Sequence, residues 1–552
     1  MSTTPSANPP TDTVRAPQFV PGWRVWTTIG VCAALIALLR GFHENLNDLA
    51  PAFDQAFLNI VTLVLGFIPC LTLVLWCVFR SSYPAPVRYG LAGLIGLAVV
   101  MGVVVFRVEE VYGNMLPRFQ FRFAKKADQR LEPLAADQTA DLSHTTPQDF
   151  PEFLGPGRAN HLPGPRLNLD WNHHPPEELW RIQIGAGWSA FSAVNGFAVT
   201  MEQRGTEELV TCYRIADGSP VWSHAISARH ENVLGGDGPR STPTIHNGKV
   251  YALGAVGRLS CLDGATGRTI WEDDLLERYH LTQLESESFV QWGRAASPLI
   301  VGDTVIVPAG GITPPLTGET RGVCRSLIAY NKDSGKVLWE GGDQQVSYAS
   351  PSLGTLAGKQ QILIVNERTV AGHDPATGEE LWNFLWPGSS KANASSSQAI
   401  ALSGDRVFVS KGYGGGAALY QITLQSGHWN AELLQENHKA LQTKFTNVSI
   451  HGKLIFGLSD GPLQCVDAET LKIYWRAGRY DNGQIIGVGD ELLVLGEMGE
   501  LTLVDATSAG HHVRGKTQVL QGKTWNNLCL YGDILLVRND QWAAAYRLEM
   551  TK

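Results

Sequence analysis

Two arginines occupy matching places in this 552-residue chain: Arg240 precedes Ser-Thr-Pro and Arg294 precedes Ala-Ala-Ser-Pro. With Trp292 and Trp525 they could hold an anionic or aromatic group, by charge and by stacking. Tyr348, Ser350, Asn447 and Asn526 stand in comparable places and would add hydroxyl and amide groups. The plainer alternative is that all of them pack loops and pair with local acids. Cys212, Cys261 and Cys465 invite a redox reading, because each lies ten residues before the position of a recurring tryptophan. The chain has eight cysteines but no CxxC and no adjacent pair, which argues against a zinc ribbon or a dense disulfide framework. His173-His174 and His511-His512 could ligate a metal, but neither pair has a third ligand nearby, so solvated loop histidines are expected.

The elements that must position these residues repeat along the chain. A decapeptide recurs as "LDGATGRTIW" (Leu262–Trp271), "HDPATGEELW" (His373–Trp382), "NKDSGKVLW" (Asn331–Trp339) and "VDAETLKIYW" (Val466–Trp475). An apolar strand runs into an Asp or Asn that bonds its own backbone, a Gly supplies a positive φ, and a new strand carries a Trp. The last copy puts Leu471 in the Gly slot. Trp180, Trp222, Trp271, Trp339, Trp382 and Trp475 are expected to dock neighbouring units together. Most intervals between Trp slots are 42 to 49 residues, close to the ~40–45 residues of a four-stranded propeller blade. Counting outer strands at Trp222, Trp271, Trp339, Trp382, Ala431, Trp475 and Val513 gives seven blades. Three further strands at Asn526–Met550 lack a fourth, and an orphan strand at Glu178–Gly185 completes them. The expected fold is an all-β eight-bladed propeller, four antiparallel strands per blade, closed by one N-terminal and three C-terminal strands.

Cys212, Cys261 and Cys465 then fall on equivalent strands of different blades, too far apart for a disulfide. The arginines and aromatics above fall where first strands converge on the ring axis, with Arg240 and Arg294 expected as neighbours in the funnel. One interval, Trp271 to Trp339, is 68 residues long. Its extra length lies in 273–292 and 311–322, insertions suited to a protein partner or to covering the funnel.

Three apolar runs precede the repeats: Val25–Leu39, extendable to Trp23, then Ile60–Phe79 and Tyr89–Phe106. Arginines flank them, and a span needs about 20 apolar residues. The domain order expected is a disordered tail (1–22), three transmembrane helices in contact with lipid (23–107), a linker (108–150), partly helical at first, and the propeller (151–552). The loop 80–88 carries two Arg and no acid, whereas 41–55 carries Glu44, Asp48 and Asp54. The positive-inside rule places the tail and the second loop in the cytoplasm, hence an inner-membrane protein with a periplasmic propeller. Arg118, Arg122, Lys125 and Lys126 argue the other way. A net charge of −8 without a basic block excludes a general nucleic-acid binder.

The decapeptides, the blade period and the count of eight resemble the PQQ-binding-like β-propeller repeat family. That superfamily includes quinoprotein alcohol dehydrogenases and the propeller lipoprotein of the outer-membrane assembly machine. "EFLGPGRANHLPGP" (Glu152–Pro165) and "KGYGGGAALYQI" (Lys411–Ile422) are similar to bacterial PQQ-like repeat proteins without evident enzymatic residues. For an enzyme, the resemblance implies a calcium site of a carboxylate and an amide oxygen, a catalytic Asp, and often a disulfide of adjacent cysteines. The adjacent cysteines are absent, as is a CxxCH haem signature, and Asp263, Asp374, Asp467 and Asp505 are accounted for by turns. The expectation is a non-catalytic protein- or ligand-binding scaffold with no cofactor. The alternatives are a PQQ- and calcium-dependent alcohol or sugar dehydrogenase, or a sensor whose funnel binds a ligand.

Overall fold

A computed structural model describes residues 18–42, 55–132, 134, 137–164, 166–310, 324–391 and 393–551. The first part of the expected tail, the acidic loop between the first two helices and the insertion at 311–322 lie outside the described residues.

Three helices open the described chain: α1 (Trp23–Gly41), α2 (Gln55–Phe79) and α3 (Ala85–Val105). All three are long and apolar enough to cross a membrane. The stretch after Arg107, expected to start as helix, is a β-hairpin instead. Its strands are β1 (Phe106–Val111) and β2 (Pro117–Phe121), and β1 begins where α3 ends. Valine, phenylalanine and arginine alternate here, a pattern of period two that a helix cannot present on one face.

Eight blades of four antiparallel strands follow, and the sheet of blade 7 gains a fifth, parallel strand from His161–Leu162. Blade 1 spans 192–227 and blade 2 spans 244–274. Blades 3 to 7 span 299–341, 352–385, 400–437, 449–477 and 484–518. Blade 8 combines three C-terminal strands, 529–547, with the N-terminal strand Glu177–Gln183. Trp542 pairs with Gln183 and Ala545 with Trp180, so the two ends of the repeat region share one sheet. The closure leaves no opening in the ring through which another strand could add.

The decapeptide explains how blades dock. Asp263 Oδ1 accepts from Thr266 N (2.9 Å) and Thr266 Oγ1 (2.8 Å), and Asp467 does the same with Thr470. Gly218, Gly267, Gly335 and Gly378 have φ near +70°, and a Cβ there would land in the indole of the preceding blade's tryptophan. That indole N–H then donates to the next blade's turn: Trp180 to Ile215 O (2.7 Å), Trp222 to Gly264 O (2.9 Å) and Trp271 to Lys332 O (3.0 Å). Trp339 reaches Pro375 O (3.1 Å) and Trp475 reaches Thr507 O (2.8 Å). Each tryptophan sits opposite a β-bulge on the third strand, and Cys212, Cys261 and Cys465 are the residues it faces. These cysteines are free and buried, and burial pushes the Cys261 and Cys465 thiols up to about 12.

Three expectations are corrected. Trp382 does not reach the next blade's turn; its N–H donates to Gln361 Oε1 within its own blade (2.6 Å). The cause is blade 5, whose third and fourth strands run ten residues each to a tight turn at Ser426–Gly427, so no broad turn lies beside Trp382. The register also moves the Trp slot of blade 5 from Ala431 to Gln435, and that of blade 7 from Val513 to Gly515. In blade 7 the missing indole comes from elsewhere. Trp171, from the N-terminal segment, fills the space a side chain at Gly515 would occupy.

Candidate functional site

First strands of adjacent blades pack against one another, so they form the inner wall of the ring. The segment 150–162 runs around that wall. Phe150 exchanges both backbone hydrogen bonds with Ala193 of blade 1, and Ile245 N of blade 2 donates to Pro151 O (2.8 Å). The Arg158 guanidinium donates to Ser297, Pro298 and Pro351 carbonyls of blades 3 and 4, and to Glu152. Gln398 of blade 5 donates to Arg158 O, and Asn160 donates to Val448 O of blade 6. His161 and Leu162 pair in parallel with Gly487 and Val488 of blade 7. Leu154, Gly155, Gly157, Arg158 and Asn160 all have positive φ, which coils this segment tightly enough to fit the axis. The motif that carried the family resemblance is thus an axial plug.

Above the plug lies a pocket of about 760 Å³, counting its open mouth. Phe153 of the plug contributes to its lining. The wall is a belt of aromatic rings. Trp188 meets Trp525 (5.2 Å between centroids), Trp525 meets Phe445 (4.9 Å), Phe445 meets Trp292 (6.2 Å) and Trp292 meets Tyr348 (5.0 Å). Each ring stands in a segment leading into a first strand, which is why residues far apart in sequence converge.

Arg240, Trp292, Tyr348, Ser350, Asn447 and Trp525 are brought together here as the sequence placed them. Arg294 and Asn526 are not. Arg294 turns from the axis and donates to Ala309 O (2.5 Å), so the two arginines are not neighbours in the funnel. Asn526 ties blade 8 to blade 1 through Gly187 O (3.1 Å) and Ser189 O (2.8 Å). Asn527 lines the pocket instead. The strand-entry rule that found Trp292 and Trp525 would also have reached Trp188 and Phe445, had it been applied to every blade. The insertion 273–292 carries two short helices, and its Phe289 and Val290 pack against Tyr348.

Arg240 is the one charged side chain among the described lining residues. Nε donates to Trp292 O (2.6 Å), and Nη2 donates to Gly235 O (2.7 Å) and Gly236 O (2.9 Å). Burial lowers its pKa to about 10, which leaves it charged at neutral pH. His173 and His174 pair with Asp170 and Glu549, and His511 with the Tyr480 hydroxyl. No metal-sized cluster of His, Cys, Asp and Glu occurs among the described residues.

The pocket wall is wired to the N-terminal helices α1 and α2. Trp525 Nε1 donates to Glu497 Oε1 (3.0 Å), and Gly113 N at the hairpin tip donates to the same oxygen (2.7 Å). The next carbonyl, Asn114 O, accepts from Asn59 Nδ2 of α2 (2.7 Å), and Asn59 accepts from Arg40 of α1 (2.7 Å). Beside this chain, Lys523 Nζ lies over Trp188 (4.8 Å) and Trp525 (4.3 Å) and pairs with Glu110 of the hairpin (3.1 Å). Both side chains are buried, and desolvation lowers the lysine pKa.

Comparison with known proteins fits this architecture. A quinoprotein ethanol dehydrogenase of Pseudomonas putida is 28% identical over 178 residues, 30% of this chain and 25% of that protein. This chain therefore matches only a quarter of that relative's length. The quinohemoprotein alcohol dehydrogenase of Comamonas testosteroni superposes with a TM-score of 0.52 at 12% identity, covering 76% of this chain and 83% of that one. A europium-containing methanol dehydrogenase gives 0.52 at 12% identity, covering 71% and 90%. At such identities these two structures establish the fold alone. A family model described as outer membrane protein assembly factor BamB matches residues 177–313 and 206–477, together more than half of the chain. With the indole-docked blades and the eight-bladed ring, that match shows that the chain belongs to this family of PQQ-like repeat propellers.

Proposed function

We propose that the protein is a membrane-anchored binding propeller that carries out no quinone-dependent oxidation. The observation that carries this reading is the lining of the axial pocket. A quinone held with calcium requires a carboxylate ligand, and a dehydrogenase requires an Asp base; among the described lining residues the pocket offers amides at Asn447 and Asn527 but no Asp or Glu. The residues present do not fit that group. The assembly-factor description of the family supports a protein partner at the rim or at the 273–322 insertions. The hydrogen-bonded path from Trp525 to Asn59 supports a ligand whose binding is felt at the helices. The test is incubation of the full-length protein in detergent with PQQ and Ca²⁺, read by thermal shift and by dye reduction with ethanol or glucose. Neither signal is expected; ethanol-dependent dye reduction would overturn the reading in favour of a dehydrogenase.

The anchor is proposed to lie in the inner membrane with the propeller in the periplasm, supported by Arg80 just after α2 and Arg88 in the first turn of α3. A C-terminal alkaline phosphatase fusion is expected to be active and a C-terminal green fluorescent protein fusion dark. The reverse pattern would put the propeller in the cytoplasm.

A further inference from the structure

We propose that the hairpin of β1 and β2 lies in the interfacial layer of the membrane, with its phenylalanine face against lipid and its charged face against the propeller. This rests on the reading of α1, α2 and α3 as a membrane anchor and adds a second, peripheral contact with the same leaflet.

For a chain surrounded by water the hairpin is inside out. Phe106 pairs with Phe121 and Val108 with Phe119, so these four side chains share one face. Phe119 is 62% exposed and Phe123, just beyond β2, is 70% exposed; Phe106, Val108 and Phe121 are exposed as well. Arg107, Glu110, Arg118 and Gln120 share the other face, where Arg118 pairs with Glu110 (2.7 Å). That charged face is the one turned to the propeller. Glu110 meets the buried Lys523 (3.1 Å), and Glu110, Arg118 and Gln120 line one crevice with Trp188 and Asp237. A hairpin packed on a protein in water puts its apolar face inward. The reverse arrangement calls for an apolar medium on the outside, because it leaves a contiguous patch of rings uncovered.

Bonds to α3 set the depth. Arg122 N donates to Val105 O (2.7 Å) and Arg122 Nη2 to Val103 O (2.7 Å). Phe121 and Phe123 therefore stand level with the last turn of α3, whose Val103 and Val104 are themselves exposed. At the other end, Asn114 O of the hairpin tip accepts from Asn59 near the start of α2 (2.7 Å). Tied to the end of one helix and the start of another, the hairpin lies across the helix ends, along the membrane surface. Val111 N donates to Val233 O (3.2 Å), and the half-exposed Val233 and Leu234 carry the apolar surface onto the propeller. Continuity favours lipid over a protein partner: the apolar surface of α3 runs through Val105 into Phe106 with no polar residue between. Arg122 and Lys125, on either side of Phe123 and Ala124, are exposed and suit headgroup phosphates.

The test is photo-crosslinking of the full-length protein in nanodiscs of phosphatidylethanolamine and phosphatidylglycerol, with adducts identified by mass spectrometry. p-Benzoylphenylalanine replaces Phe119 or Phe123, Leu94 in the middle of α3, or Val513 on the outer strand of blade 7, all exposed positions. Lipid adducts at Phe119 and Phe123 are expected at least about tenfold above those at Val513, and adducts at Leu94 as well. Adducts at Leu94 with none above the Val513 level at Phe119 and Phe123 would overturn the proposal and leave the anchor standing. Crosslinks from the two phenylalanine positions to protein alone would also overturn it, in favour of a partner on this face. Lipid adducts at neither Leu94 nor the hairpin would overturn both readings. Adducts at the hairpin without any at Leu94 would support the surface contact and overturn the crossing of α3.

Discussion

Trp171→Ala is expected to destabilise the propeller by about 3–5 kcal/mol, and Gly515→Trp added to it is expected to restore a large part of that loss. Trp171 is 6% exposed, and its side chain occupies the volume that a residue at Gly515 would fill. Gly515 is the position opposite the β-bulge of blade 7, where blades 1 to 4, 6 and 8 carry a tryptophan and blade 5 carries Gln435. Trp171 therefore supplies in trans, from a segment over 300 residues upstream in the sequence, what the repeat elsewhere supplies in cis. Gly515→Trp alone should be destabilising, because two indoles would compete for one space. Thermal or urea unfolding of the three variants checks this. If the double variant is no more stable than Trp171→Ala, the two residues do not share a slot.

The second large effect concerns the joint between the N-terminal helices and the propeller. Lys523→Ala is expected to cost about 1–3 kcal/mol, since it leaves the second oxygen of the buried Glu110 carboxylate unpaired while Arg118 (2.7 Å) still holds the first. Glu110→Gln combined with Lys523→Met should recover most of this, because removing both charges also removes the desolvation penalty. Lys523 is sandwiched by Trp188 and Trp525, so its loss also removes the cation behind the pocket wall. Limited proteolysis supplies a local readout. Cleavage within 106–130 should accelerate in Lys523→Ala and return toward the parent rate in the double variant. Unchanged cleavage in Lys523→Ala would mean that the Lys523–Glu110 pair does not hold the hairpin.

Reading the sequence reached most of the fold, because a propeller is locally encoded. Each blade is four consecutive strands with short turns, and the decapeptide writes the last turn in letters: an Asp to hold it, a Gly for positive φ, a Trp to dock. Ring closure was also legible, since an unmatched strand at one end and a three-stranded sheet at the other have one satisfying solution. Where blades lack the motif, the reading slipped. The slots of blades 5 and 7 were misplaced by counting along the chain, because a β-bulge and a ten-residue strand change the count without changing the register across the sheet.

By itself, then, the sequence determined the repeat, the number of blades, the closure and three apolar helices, all consequences of patterns within some 50 residues. Tertiary structure alone decided what fills the axis and what faces it. The plug 150–162, Trp171 beneath Gly515, and the hairpin latched through Glu110 and Glu497 are contacts between segments hundreds of residues apart. No local pattern marks them, because each depends on where the ring happens to bring two distant surfaces. The pocket divides the same way: strand-entry positions named Arg240, Trp292 and Trp525, but side-chain direction, set by packing, turned Arg294 and Asn526 away and put Asn527 in.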